Sequence, residues 1–240
     1  SKVSIIEFDT TGEKNAHQSS HLTQLIIGDG ADVSHLKIVF GGKDSIHLGH
    51  WQVSLGANAN YRPFHLMLSE GLVRSSLNLN FWGEKALFEF GGASIVKGSG
   101  HVDNTLVIDH KVPQCTSREH FKAVLDGESK AVFQGKVIVQ PDAQKTDGKQ
   151  MAQALMLSPV AEFDSKPELE IYADDVACGH GSTCTEIDPN LLFYCMSRGI
   201  PLGQARSLLI GSFIGEVIDK VQDEDLRDLA FQIVQSSLSN

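Results

Sequence analysis

The sequence predicts a long β body followed by a short helical region. From Ser1 to about Ile171, apolar and polar residues alternate in short runs, which places the apolar side chains on one face of a strand. After Asp188 the apolar residues recur at three- and four-residue steps, a period typical of amphipathic helices. We therefore expect residues 1–187 to form the β body and residues 188–240 to form a C-terminal helical region.

The β body contains several strand-like runs separated by turn-forming segments. The runs are Leu36-Ile38-Phe40, Trp51-Val53-Leu55, Phe64-Leu66-Leu68, Leu77-Leu79-Phe81, Ala86-Phe88-Phe90 and Phe133 through Val139. The segments "GDGAD", "FGGKD", "GANAN", "FGGAS" and "KGSGHVDN" predict turns, because Gly and Asn tolerate positive φ. Many short strands without an exact repeat are compatible with a sandwich, a barrel or a β-helix, and the pattern alone does not choose among them.

Three helices are expected after the β body. Asp188 suits an N-cap, Pro189 suits the first helical position, and Gly199 suits the residue that ends the helix. A second helix opens at Pro201, and a third follows Asp223, whose acidic segment "DEDLRD" suits a solvated helix N-terminus. The apolar stripes predicted for the three helices are Leu191-Leu192-Cys195-Met196, then Ala205-Leu208-Leu209-Phe213-Val217-Val221, then Leu226-Ala230-Ile233-Val234. Cys195 is accordingly expected in a core.

Composition limits the function. The chain has 240 residues and a formal net charge of −10. This charge argues against binding of nucleic acid or of an anionic membrane, and no apolar run is long enough for a transmembrane helix. The start "SKVSIIEFDT" has neither an initiator Met nor the features of a signal peptide, so we expect a cytoplasmic protein that lacks its natural N-terminal part. Four cysteines in such a chain predict reduced thiols.

Most motifs for enzymatic chemistry are missing from the sequence. Gly42-Lys43 and Gly148-Lys149 are not followed by the hydroxyl residue that a nucleotide-binding P-loop needs. His47 and His50 would suit a metal only on a helix, so within a β pattern we assign them a structural or surface role. Cys115 near His120 is a weak signal for a site.

The segment "YADDVACGHGSTCTEID", residues 172–188, carries the strongest chemical signal. On a strand, Cys178 and His180 point to the same side. A thiolate and a neutral imidazole suit iron or zinc, but a closed site usually needs four ligands. The others would come from Cys184, from a carboxylate, from a partner chain or from a substrate. Spacing alone favours a buried Cys beside a hydrogen-bonded His.

Four long stretches resemble the SufB/SufD family of SUF iron–sulfur cluster assembly proteins. They are "FKAVLDGESKAVFQGKVIVQPDAQKTDGKQ", "LMLSP", "SKPELEIYADDVACGHGSTCTEID" and "LLFYCMSRGIPLGQARSLLIGSFIGEVI", at residues 121–150, 155–159, 165–188 and 191–218. Together they cover roughly half of the chain, and the earlier β part resembles the family more weakly. The phrases "PDAQKTD" and "KPELEIYADDV" favour the SufD branch over the SufB branch.

The resemblance implies a right-handed parallel β-helix followed by C-terminal helices. It implies a non-catalytic scaffold subunit that pairs with SufB through the β-helix and docks the ATPase SufC through the C-terminal helices. It also implies an N-terminal helical region that this chain lacks. At the site, the resemblance implies that His180 lies at the interface with SufB and acts in cluster assembly or iron acquisition. Cys178 matches the Cys of the same motif, and its role is less defined.

Under this interpretation no cofactor is permanently bound, and iron or an iron–sulfur cluster is held transiently between the two chains. Two other interpretations stay open. One is a carbohydrate-active enzyme, since parallel β-helices also host such activities, although their clustered carboxylates are not evident here. The other is a homodimer that forms through the surface intended for SufB, because a solenoid exposes its end strands.

Overall fold

The structure, a computed structural model, describes residues 1–10 and 16–239. Within them the chain forms thirteen strands followed by three helices. The strands are β1 (Lys2–Thr10), β2 (His17–Ile27), β3 (Asp32–Gly41), β4 (Ser45–Leu55), β5 (Asn60–Ser69), β6 (Leu72–Phe81), β7 (Leu87–Val96), β8 (His101–His110), β9 (Thr116–Leu125), β10 (Lys130–Val139), β11 (Asp147–Met156), β12 (Glu162–Ile171) and β13 (Ala177–Glu186). The helices are α1 (Pro189–Ser197), α2 (Leu202–Ile218) and α3 (Glu224–Ser239), so Asn240 of the predicted helical region lies outside the described residues.

The strands form two parallel sheets that wind as a solenoid. The odd sheet has the order β1-β3-β5-β7-β9-β11-β13, and the even sheet has the order β2-β4-β6-β8-β10-β12. Each odd strand and the even strand that follows it make one coil. Asp32 pairs with Asn60, and Asn60 pairs with Leu87, so successive coils are offset by 28 and then 27 residues. This architecture confirms the parallel β-helix and excludes the sandwich and the barrel.

One turn is repeated in successive coils. A residue with positive φ stands two positions before each of five odd strands; these residues are Gly30, Asn58, Lys85, Gln114 and Lys145. Each donates its backbone N–H to a carbonyl in the next coil, as Gly30 does to Ala57 at 2.8 Å and Asn58 does to Glu84 at 2.9 Å. The repeat therefore lies in the backbone, and it is not visible in the sequence because Lys and Gln occupy a position where Gly or Asn would be expected.

The interior of the coils holds the larger hydrophobic core. Period-two alternation points every second side chain inward, and the predicted runs at Trp51, Leu77, Phe88 and Phe133 all face this core. Phe121 stacks on Phe133 with ring centroids 5.4 Å apart. The interior is thus filled by side chains from both sheets, as the close packing of protein interiors requires.

A second core lies on the outer face of the odd sheet. The predicted runs that start at Leu36 and Phe64 point outward and are buried by α2 and α3. Lys122 is also buried there, paired with Glu216 and with its Nζ 4.3 Å from the centre of the Phe213 ring. The helices contact the first coil as well, since Ser4 Oγ donates to Asp223 Oδ2 at 2.5 Å.

One predicted turn is wrong. The segment "FGGAS" lies in the middle of β7 and not between strands. Its glycines are needed for packing: a Cβ at Gly91 would lie 2.5 Å from the Phe64 ring, and a Cβ at Gly92 would lie 2.8 Å from the Phe121 ring. Close approach to aromatic rings, and not positive φ, explains glycine at these positions.

The helix boundaries follow the predicted signals. The side chain of Asp188 caps α1 by accepting from the Asn190 N–H at 2.7 Å, and Pro189 is the first helical residue. Gly199 has φ +84° after the helix end. At the start of α3, Asp223 Oδ1 accepts from the Leu226 N–H at 3.2 Å, as expected for a solvated acidic N-terminus.

The burial predicted for the helices is partly wrong. No residue of α1 is buried, so Cys195 is only partly covered and does not lie in a core. The reason is that α1 packs mainly on α2, which leaves most of its surface exposed. In α2 the buried stripe contains Ile210 and Ile214, whereas Leu208 is exposed. Apolar residues lie on most sides of this helix, so their spacing in the sequence does not show which side is buried.

The third stripe is confirmed for Leu226, Ala230 and Val234. Among the described residues, the structure contains no helix with the length and apolar character needed to cross a membrane.

Candidate functional site

Strand β13 carries both side chains that the sequence singled out. Cys178 and His180 point toward the coil interior, where Cys178 is half-buried against the core and His180 is exposed. His180 is exposed because β13 forms an edge of the odd sheet, where its one sheet neighbour is β11. The interior of this last coil is therefore open to solvent at its end.

Glycines flank His180 on the opposite face of the strand. Gly179 and Gly181 point away from the coil interior, because successive residues of a strand alternate in direction. A Cβ at Gly181 would lie 2.9 Å from Met151 Cε, so the close contact of β13 with β11 also favours glycine there. On the neighbouring strand Gly148 pairs with Cys178, which leaves the thiol room beside it.

The thiol of Cys178 is protonated in its present environment. Burial raises its pKa, and the negative charge of Asp147 acts in the same direction, against opposing contributions from the Gly148 backbone and Arg118. A thiolate at this position would need a bound cation or a nearby base to displace the proton. Cys178 is thus a ligand that a metal ion would have to activate.

Behind His180, a row of polar side chains leads into the solenoid. In the register of the parallel strands, His180 on β13 lies beside Gln150 on β11, and Gln150 lies beside Glu119 on β9, one coil further in. Gln150 and Glu119 are both buried, and their side-chain oxygens have no hydrogen-bond partner. Burial raises the pKa of Glu119 to about 8, against smaller effects from Ser117 and Arg118. Glu119 is therefore a neutral carboxylic acid at neutral pH.

A groove of about 910 Å³ runs along the odd sheet beside α2 and reaches β13. Its lining includes four cations, Arg62, Arg118, Lys149 and Lys220, beside the acidic residues Glu89 and Glu119. Three of these cations have carboxylate partners: Arg118 and Lys149 both pair with Asp147, and Arg62 Nε lies 3.0 Å from Glu89 Oε2. The groove joins the exposed His180 to the helical layer.

Of the other residues weighed from the sequence, His120 lines the groove, whereas Cys115 and Cys184 do not. Cys184 lies further along β13 and is exposed. Cys115 is buried in the interior with its Sγ 3.4 Å from the Gly83 carbonyl oxygen, and burial raises its pKa. His120 points to the outer face, where it contacts Lys220 and Gln153, so it does not meet Cys115.

The ligand count at β13 is low. In the part of the chain that the structure describes, no third His, Cys, Asp or Glu ligand atom groups with those of Cys178 and His180. Sequence reasoning found these two residues from their spacing, but it missed Glu119, Gln150 and the cations of the groove. The strand register brings those residues together from positions about thirty apart, and no local pattern reveals that register.

Comparison with known proteins finds one family of similar chains. Residues 1–213 match the family model of the SUF system FeS cluster assembly SufBD core domain. The chain is 33% identical over 202 residues to an iron–sulfur cluster assembly SufBD family protein of Synechocystis, covering 83% of this chain and 44% of that protein. It is 31% identical over 201 residues to the iron–sulfur cluster assembly protein SufD of Escherichia coli, covering 84% and 48%.

A plant relative shows the same extent of similarity. Protein ABCI7, chloroplastic, of Arabidopsis thaliana is 30% identical over 235 residues, which cover 97% of this chain and 49% of that protein. The chain therefore spans about half the length of the curated relatives it matches. With a family model that covers most of its length and a parallel β-helix as its fold, the chain belongs to the SufB/SufD family of SUF iron–sulfur cluster assembly proteins.

Proposed function

We propose that this chain is a non-catalytic scaffold subunit for iron–sulfur cluster assembly. The observation that carries the proposal is an incomplete pair of ligands, Cys178 and His180, on an edge strand that another chain can reach. Iron and iron–sulfur clusters take thiolate and imidazole ligands, and here the remaining ones would come from a partner. Iron or the cluster is then cargo held for a time, and not a resident cofactor.

The partner at this end of the solenoid is SufB. Strands β12 and β13 form the outer edges of the two sheets and leave one row of backbone donors and acceptors each without a sheet neighbour. A partner strand can add to such an edge through main-chain hydrogen bonds. Pairing with a second β-helix of the same family would continue the solenoid and enclose His180 at the junction. A homodimer through the same edges is the outcome expected when SufB is absent.

The partner at the C-terminal helices is the ATPase SufC. Helix α1 exposes Leu191, Phe193, Tyr194 and Met196, which is an unusual apolar surface for a helix with no buried residue. Helix α2 connects this surface to the groove that ends at His180. A movement of the helices driven by ATP hydrolysis in SufC would thereby reach the interface with SufB. Reduced cysteines fit the cytoplasm as the compartment.

The role of His180 is tested by cluster reconstitution with SufB and SufC. His180→Ala is expected to lower the yield of cluster while the complex stays intact, because the imidazole is lost from a ligand pair that has no spare member. Cys184→Ser is the matched control, since Cys184 is exposed on the same strand. An unchanged yield in an intact His180→Ala complex would exclude the proposed role.

The docking of SufC is tested by a pull-down with single variants. Phe193→Ser, at a side chain 73% exposed on α1, is expected to weaken SufC binding at least about tenfold and to leave SufB bound. Leu22→Ser, at a side chain 72% exposed on β2, is the control and should retain both partners. Equal retention of SufC by both variants would remove α1 from the docking surface.

A further inference from the structure

Three side chains that suit a metal ion meet at the opposite end of the solenoid from His180. Asp9 lies on β1, His21 on β2 and His47 on β4. The Asp9 Oδ2 atom is 2.8 Å from His21 Nε2 and 2.7 Å from His47 Nδ1, and the three ligand atoms lie within 4.8 Å of one another. With six interstrand spacings between β1 and β13, this cluster is about 29 Å from the last coil.

Hydrogen bonding does not account for this arrangement. Asp9 Oδ2 is buried and lies within 2.8 Å of two ring nitrogens, yet it has no hydrogen-bond partner of acceptable geometry. His47 is 1% exposed, and its Nε2 also has no hydrogen-bond partner. Two imidazole nitrogens thus converge on one carboxylate oxygen without meeting it in hydrogen-bond geometry, and a cation shared by the three side chains would account for this convergence.

The charge around the cluster favours a cation. Glu7, two residues before Asp9 on the same strand, already contacts Lys37 Nζ at 3.2 Å and His35 Nε2 at 3.1 Å. Lys37 is thereby paired with Glu7, and it also lies over the Trp51 ring at 4.7 Å. The ion-pair partners of the Asp9 side chain are the two imidazoles.

We propose that Asp9, His21 and His47 form a binding site for a divalent transition-metal ion, with two nitrogen ligands, one oxygen ligand and at least one open position. Two His and one carboxylate form the ligand set of many zinc sites and of non-haem iron(II) sites. His21 is 46% exposed and gives the ion a route from solvent. This site is independent of the proposed function, because it shares no residue with the β13 edge.

Binding requires only a small adjustment. Bonds of about 2.0–2.1 Å to a tetrahedral zinc ion separate its ligand atoms by about 3.3 Å, so the cluster would open by about half an ångström. The exposed His21 side chain has the freedom to do this. Ser19 Oγ, now 2.8 Å from His47 Nδ1, would give up that contact and become available to hold water in the open position.

The test is a titration of the 240-residue chain with Zn²⁺ in competition with a chromophoric chelator. The triple variant Cys178→Ser, Cys184→Ser, His180→Gln is the background, so that the last coil offers no competing ligands. One equivalent of Zn²⁺ is expected, and Asp9→Asn and His21→Gln should each lower its affinity about tenfold or more. His50→Gln is the matched control, because His50 lies on the same strand as His47 but points to the opposite face.

Two further measurements keep the outcome clear. Co²⁺ in the same chain should give visible absorption bands of a nitrogen and oxygen site without a thiolate charge-transfer band. The metal-free melting temperature shows whether each variant is folded; if Asp9→Asn does not fold, the half-exposed His21→Gln variant decides. Failure of the background chain to bind Zn²⁺, or binding that survives both substitutions, would overturn the site and leave Asp9 in an ion pair with the imidazoles.

Discussion

The middle coils and the end coils of the solenoid hold different kinds of side chains in their interiors. In the middle, Phe81, Phe88, Phe121 and Phe133 are at most 1% exposed. At the two ends the interior positions carry the ligand pairs Asp9 and His21 in the first coil and Cys178 and His180 in the last. Each middle coil is covered by a neighbour on both sides, whereas an end coil is covered on one side only. Hydrophobic stability therefore comes from the middle, and ligands can reach the interior only at the ends.

The largest expected change in the free energy of unfolding comes from removing an aromatic ring from the middle coils. Phe133→Ala removes a fully buried ring that stacks on Phe121, and it should lower the free energy of unfolding by about 3–5 kcal/mol. Chemical denaturation measures this change. Val3→Ala, at an end-coil side chain 46% exposed, should cost less than about 0.5 kcal/mol. Similar losses in both variants would contradict the division between middle and ends.

A second variant replaces Glu119, one of the polar side chains buried in the covered part of the coil interior. The pKa of Glu119 is raised from 4.5 to about 8 by burial, so the folded state binds this proton more tightly than the unfolded state does. The wild-type protein therefore loses stability as the pH rises from 4.5 through 8. Glu119→Gln should remove that loss, with little difference at pH 4.5 and a gain on the order of 4 kcal/mol at pH 8.

Denaturant unfolding of the wild-type protein and the variant across this pH range measures the effect. The control is Ser94→Ala, at a buried hydroxyl that pairs with Ala123, four residues along β9 from Glu119. It should shift the free energy of unfolding by the same amount at every pH, because neither Ser nor Ala titrates and the surroundings of Glu119 are unchanged. A stability difference between Glu119→Gln and wild type that is constant with pH would show that the carboxyl group is not held neutral by burial.

A small effect on stability is also expected from the ligand pair in the last coil. The double variant Cys178→Ser, His180→Gln changes one half-buried and one exposed side chain, and it should alter the free energy of unfolding by less than about 1 kcal/mol. The same denaturation experiment measures it. A loss as large as that of Phe133→Ala would mean that these residues are needed for the fold and not for a ligand.

The sequence predicts the elements of this fold better than their arrangement. The runs at Leu36 and at Leu77 have the same alternation, yet one faces the helices and the other faces the coil interior. Period two defines which residues share a face of a strand but does not say what covers that face. The winding of the coils is likewise hidden, because the repeated turn depends on backbone conformation at Lys85 and Gln114 as much as at Gly30.

The two clusters of ligands also differ in how far the sequence alone predicts them. Cys178 and His180 are two residues apart, so their proximity follows from a single strand. Asp9, His21 and His47 come from three strands, and the role predicted for His47 rested only on its spacing to His50. These two histidines point to opposite faces of β4, and the residues that meet His47 are distant in sequence.

The contact between Ser4 and Asp223 joins positions 219 residues apart, and this has a consequence for biosynthesis. The coils can stack in order as the chain leaves the ribosome, since each needs only its predecessor. The apolar outer face of the odd sheet, which includes Leu36 and Phe64, stays exposed to solvent until α2 and α3 have emerged. A truncated chain would thus expose a hydrophobic surface that the full chain buries. Chaperones and proteases can recognise incomplete molecules by such a surface.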